Sequence, residues 1–214
     1  MRILLIVLFT LWMVACGEPP ERTPAFAPAS IFVAYPAALQ PTLARINQCA
    51  GEISGLAIYT LPEATVQAEL PGPLMRLQLG SANLEGEFVY QIGVEEIQFI
   101  VNADNPVISL STKEIQLIYR GEQANWEGSS NAIQVLSYPA EDILRLFVEE
   151  ALQGSIRLTL EAEIAPNPQA MLDAVSNNRH AIGTILASWV DNAEAINGVK
   201  LITLDASLRE ALTQ

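Results

Sequence analysis

Few residues in this 214-residue chain have a type and spacing suited to covalent chemistry. The one histidine, His180, follows Asn177-Asn178-Arg179 and reads as a surface turn ahead of a strand, not as the base of a Ser-His-Asp triad. No Gly-X-Ser-X-Gly elbow, P-loop or dinucleotide fingerprint occurs. The carboxylates are scattered, and the adjacent pairs Glu95-Glu96 and Glu149-Glu150 would point apart. One histidine and two cysteines make no metal-ligand cluster. The residues therefore point to no enzyme, no cofactor and no metal. The thiol of Cys16 is the one group whose setting suggests modification.

That setting is an export signal. Arg2 precedes Ile3 to Ala15, a run in which only Thr10 is not apolar. The run is shorter than the ~20 residues that span a bilayer. It ends in Met13-Val14-Ala15-Cys16-Gly17, which resembles the lipobox of bacterial lipoproteins, with Met13 in place of the usual leucine. The resemblance implies that residues 1–15 are a cleaved signal peptide and that Cys16 is the acylated first residue. Each buried acyl CH2 contributes about 0.8 kcal/mol, so two or three chains hold a protein at a membrane. The competing reading is an ordinary secretory signal that contains a cysteine. Residues 16–30 carry Pro19, Pro20, Pro24 and Pro28 without apolar periodicity, and read as a semi-rigid stalk.

Charge narrows the partners. The formal net charge is −13, and removing residues 1–15 with Arg2 makes it −14. Lys113 and Lys200 are the lysines, and no basic cluster exists, so nucleic acid is not an expected partner. The same acidity leaves the acyl chains as the sole membrane attachment. Half the residues are hydrophobic, enough for a sizeable core. With Cys16 acylated, Cys49 has no partner for a disulfide, and it reads as a small buried hydrophobe beside Leu43 and Ile46.

Elements that could position a site alternate between strand and helix. Strands are expected at 31–35, 56–59, 74–79, 88–92, 97–101, 133–136, 156–160, 181–186 and 199–204. Helices are expected at 39–49, 62–70, from Ser111 or Thr112 to Gly121, at 140–152, at 167–176 and from Leu208 to Leu212. Gly121 is placed to end its helix, and 122–131 is a polar loop. The alternation argues an α/β fold with mainly parallel sheet. The strand at 97–101 could cross between two halves.

A further resemblance rests on an ordered series: Asp104-Asn105-Pro106-Val107, Leu110-Ser111, Ile118-Tyr119-Arg120-Gly121, Asn125-Trp126, then Ala170 to Val175 and Ala181-Ile182-Gly183. It resembles the central and later segments of PstS-like phosphate-binding proteins, in the type 2 periplasmic-binding-protein superfamily. Tyr119 stands where that pattern has phenylalanine, and Thr184 where it has tyrosine. The likeness is good over about 102–204 and rests mainly on element order over 31–101. It implies two small lobes with mainly parallel sheets around a hinge: lobe 1 at 31–101, lobe 2 at 102–214 with a short C-terminal return. Relatives continue beyond the equivalent of 199–204, whereas only Leu208 to Gln214 is available here to return.

The resemblance also implies a site. A small oxyanion such as phosphate would lie in the cleft on backbone N–H groups at helix N-termini and on hydroxyls. The positions that match are Tyr35 and Ala37 in the first loop, Ser81 in the second, and Ser137, Tyr138 and Arg145 around the third. These loops depart from the family. The first has no hydroxyl beyond Tyr35, and the third places Glu141 and Asp142 where an anion would seek N–H groups. Ser81 is either a turn hydroxyl or a contact; Arg145 either a solvated helix residue or the site's cation. Tyr35 and Tyr138 could line the cleft or cover a core edge, Trp126 packs its loop, and Asn125 is a turn residue. The implied function is extracytoplasmic solute capture by a monomeric lipoprotein for an ABC importer, with its permease as partner. The alternative is a degenerate binding-protein-like envelope lipoprotein acting as an interaction or sensor module without transport.

Overall fold

A computed structural model describes residues 29–66, 70–80, 88–152, 158–190 and 198–213. The expected signal segment, Cys16, the stalk through residue 28 and Ser81 lie outside the described residues.

Three parallel strands open the fold. β1 (Ala29–Tyr35) lies between β2 (Leu56–Pro62) and β3 (Leu74–Arg76). A 3-10 turn at Ala37–Leu39 and helix α1 (Thr42–Gly51) make the crossover that a parallel pair requires. The helix starts three residues later than expected, since Pro41 sits at its N-cap. Leu43 and Ala50 are buried on its inner stripe and Ile46 packs partly against the core. Cys49 falls off that stripe and is exposed, which corrects the expectation of a buried thiol.

Three further expectations in this region are corrected. The helix at 62–70 is a single 3-10 turn, Glu63–Thr65, with residues 67–69 outside the described ones. The strand at 74–79 stops at Arg76, although Leu77 N–H still donates to the Ala34 carbonyl at 2.8 Å. The run 88–92 has strand-forming residues but joins no strand, and Phe88, Tyr90 and Ile92 are exposed. Strand propensity is realised only against a neighbour.

The larger sheet is built from β4 (Ile97–Asn102), β6 (Gln134–Ser137), β7 (Glu163–Ile164), β8 (Ala181–Leu186) and β9 (Val199–Leu201), in the order β7-β6-β8-β4-β9. Every residue of β8 is buried, as is every residue of β4 except Gln98. Such continuous apolar runs mark strands covered on both faces. β6 is parallel to β7 and β8, while β4 runs antiparallel to β8 and β9. A two-strand pair, β5 (Ser109–Leu110) with β10 (Thr203–Leu204), is parallel. The expected strand at 156–160 is not found at 158–160, and residues 153–157 lie outside the described ones; the short β7 follows instead.

Helix ends follow local chemistry. α2 (Thr112–Tyr119) carries a full capping box: Ser111 Oγ accepts from Glu114 N–H at 3.3 Å, and the Glu114 carboxylate accepts from Ser111 N–H at 2.8 Å. Gly121, at φ +75°, follows its end. α3 (Ile143–Ala151) is capped by Asp142, and α4 (Pro168–Asn177) by Asn167 with proline in its first turn. α5 (Ala187–Val190) continues directly from β8, and α6 (Ala206–Ala211) closes the described chain under an Asp205 cap.

The start of β4 is bonded to the segments that flank it. Ala187 N–H donates to the Glu96 carbonyl at 2.8 Å, and Ile97 N–H to the Leu212 carbonyl at 3.0 Å. α5 then reaches the 3-10 turn that follows β1: the buried Trp189 Nε1–H donates to the Ala38 carbonyl at 2.7 Å.

Candidate functional site

The connection from β6 to α3 gathers three of the residues that the sequence singled out. Ser137 ends β6, Tyr138 follows, and Arg145 sits in the first turns of α3. Ser137 and Tyr138 are buried. The Ser137 hydroxyl donates to the Tyr138 carbonyl at 3.3 Å. The Tyr138 hydroxyl crosses to β8 and donates to the Thr184 carbonyl at 2.9 Å. Arg145 Nε–H donates to Glu149 at 2.7 Å, and Arg145 Nη1–H reaches the Tyr138 carbonyl at 3.4 Å.

These groups border a narrow cleft inside the second half of the chain, with room for about one water molecule. Its polar lining is Tyr119, Ser137, Tyr138, Arg145, Glu149 and Thr184. Its apolar wall is Val148 of α3 and Leu152 at that helix's C-cap, together with Leu158. Tyr119 enters from the last residue of α2, its ring edge-to-face with Phe99 of β4 at 5.7 Å. Its hydroxyl is buried and has no hydrogen-bond partner among the described residues. Burial holds both the Tyr119 and the Tyr138 hydroxyls far above the ordinary phenol range, so both stay protonated donors.

The charges around the cleft are self-satisfied. Asp142 accepts from Leu144 N–H at 2.9 Å, so a carboxylate caps the N-terminus of α3. Burial pushes its carboxyl above the ordinary range, against the lowering effect of that bond. Arg145 is paired along its own helix with Glu149.

The remaining sequence candidates lie elsewhere. Tyr35 is half-buried at the end of β1, in register with Pro62, and Ala37 is the exposed first residue of the 3-10 turn. Neither lines the cleft. The motif residues Asn102 and Asn105 are structural. Asn102 Nδ2 donates to the Val175 and Ser176 carbonyls at 3.1 and 2.6 Å, and Asn105 Nδ2 to the Arg179 carbonyl at 3.0 Å. Trp126 is buried, with Nε1–H donating to the His180 carbonyl at 3.2 Å, in keeping with a packing role. Sequence reasoning did not select Tyr119, Thr184 or Glu149. For the first two a signal existed, since they stand where the resemblance pattern is broken.

Among solved structures, a phosphate ABC transporter substrate-binding protein from Clostridium perfringens, with bound phosphate, superposes with a TM-score of 0.64. It is 21% identical, over 82% of this chain and 76% of that one. The chain has the type 2 periplasmic-binding-protein fold. The same architecture appears in two regulatory domains. That of an OxyR2 variant from Vibrio vulnificus is 10% identical over 86% of this chain and 83% of that one, with a TM-score of 0.58. That of CcmR from Synechocystis PCC6803, in complex with 2-PG, is 9% identical over 83% and 81%, with a TM-score of 0.56. No family model matches the chain, and no curated protein sequence does. Among the described residues no group of His, Cys, Asp and Glu is arranged to hold a metal ion, and no helix is long and apolar enough to cross a membrane.

Proposed function

We propose that this chain is an extracytoplasmic solute-binding lipoprotein, tethered through Cys16 and a stalk over residues 16–30. It captures a small oxyanion for an ABC importer whose permease is its partner. Two lobes, 31–101 and 102–214, would close on the ligand about a hinge. The observation that carries the reading is the binding-protein fold with Ser137, Tyr138 and Arg145 brought to one cleft. That a structural neighbour holds phosphate makes phosphate the first ligand to test.

The test is calorimetric titration of the purified full chain in mild detergent with phosphate, sulfate and molybdate. A ligand at 100 times its dissociation constant stabilises by about 2.7 kcal/mol, so a thermal shift should accompany binding. No heat and no shift at millimolar concentration would remove the oxyanion. The tether is tested separately: Cys16→Ser should move the protein from the membrane to the soluble fraction, and unchanged membrane retention would refute acylation at that residue.

One observation favours the second reading, an envelope interaction or sensor module without transport. Asp142 caps the N-terminus of α3 and Glu149 engages Arg145, so the chain's own carboxylates take donors that an anion would need. On that reading Glu149→Gln creates oxyanion binding that the native chain lacks.

A further inference from the structure

The cleft between α2, α3, β6 and β8 is lined entirely by residues of the second half of the chain, and it holds donors that the described residues leave unused. Tyr119 is only 4% exposed and its hydroxyl has no acceptor among the described residues. Arg145 spends Nε on Glu149 and Nη1 on a long bond to the Tyr138 carbonyl, which leaves other guanidinium N–H groups to give. Of the acceptors at the cleft, the Tyr138 carbonyl takes Arg145 Nη1–H and the Ser137 hydroxyl, and Glu149 Oε1 takes Arg145 Nε–H. The unused donors favour an occupant that accepts hydrogen bonds. The wall of Val148, Leu152 and Leu158 suits a short alkyl group. The Glu149 carboxylate at the cleft, with Asp142, whose charge acts on the lining residue Tyr138, penalises a doubly charged anion more than a singly charged one.

We infer that this cleft is a binding site for a short-chain monocarboxylate, with its carboxylate on Arg145 and the Tyr119 hydroxyl and its alkyl end on the α3 wall. Entry requires Arg145 to part from Glu149 and the walls to spread, because the closed space is close to that of one water molecule. The site shares its cleft and Arg145 with the oxyanion reading and rests on that placement; it adds Tyr119, which that reading does not use, and needs no residue of the first sheet.

The experiment is titration of the full chain in detergent with sodium formate, acetate, propionate and butyrate, with sodium chloride as the ionic control and phosphate in parallel. At least one carboxylate should bind and raise the melting temperature where chloride at equal ionic strength does not. Tyr119→Phe removes one hydrogen bond and should weaken that binding about five-fold, while leaving any phosphate response unchanged. The native fold should tolerate this change, because the lost hydroxyl has no protein partner among the described residues. Binding of phosphate without any carboxylate would overturn the inference and leave the oxyanion reading standing. Silence toward all four carboxylates, or equal binding by Tyr119→Phe, would overturn it too, as would a crystal grown in the best of them that shows only water beside Tyr119.

Discussion

The Asp205 carboxylate accepts from Thr112 N–H and hydroxyl at 2.8 and 2.6 Å, from the Ser207 hydroxyl at 2.9 Å and from Leu208 N–H at 3.0 Å. The Thr112 bonds above all, with those of Leu208 and Ser207, hold its carboxyl far below the usual carboxylate range. Glu114 is lowered in the same sense by the Ser111 bonds. A lowered carboxyl contributes stability that is present above its unfolded value, near pH 4, and is lost as pH falls through the folded value. Asp205→Ala should therefore lower the melting temperature at pH 7, and the gap from the native chain should shrink progressively as the buffer is taken below about pH 4. Asp142 has the opposite sign. Its carboxyl is raised, so ionisation opposes folding at neutral pH and the penalty lifts on acidification. Asp142→Asn keeps an N-cap acceptor and should raise the melting temperature at pH 7 but not at pH 3. The local part of the site was legible in the sequence because Ser137, Tyr138 and Arg145 lie within one strand-to-helix junction. Tyr119 was not legible as a site residue, because only the packing of α2 and α3 against the larger sheet brings it across from a distant stretch of chain.

At the scale of elements, α4 lies close on β8 at Gly183. A Cβ there would stand 2.4 Å from Met171 Sδ and 3.3 Å from Val175 Cγ2. Gly183→Ala should cost about 1–3 kcal/mol as overpacking. In combination with Met171→Ala the total should fall below the sum of the two single changes, since each relieves the other; urea unfolding of the four proteins measures this coupling, and simple additivity would refute the contact. The same strand shows why parts of the fold were readable. β4 and β8 are continuous apolar runs buried from end to end, apart from Gln98, and both were placed from sequence within a residue. The run Phe88 to Ile92 has comparable strand propensity, but whether such a run becomes a strand depends on a partner supplied by distant chain, and none of the described residues pairs with it. β7 escaped notice for the converse reason: two exposed residues, Glu163 and Ile164, carry no periodicity, and only the edge of β6 makes them a strand.

For the whole molecule, the two sheets depend on a few cross-connections. Trp189→Phe removes the donor to the Ala38 carbonyl, leaving a buried acceptor unpaired at a cost of about 1–3 kcal/mol. Denaturant unfolding should show that loss without a change of fold by circular dichroism; a loss below a few tenths of a kcal/mol would mean that the bond joins nothing of consequence. Closure about the junction at Glu96, Ala187 and Leu212 would have to bend backbone that is bonded to two other segments, so opening motions should be stiff there. One placement has a mechanical meaning as well. β1 is the first described element, and it is the middle strand of its sheet, paired with β2 along its whole length and with β3 from Phe32 to Ala34. On the proposed tether at Cys16, a pull on Ala29 would reach a strand held on both sides from Phe32 to Ala34, and β1 could not be peeled from an open border. Drag on the body in a moving envelope would be borne by the strand least able to peel away.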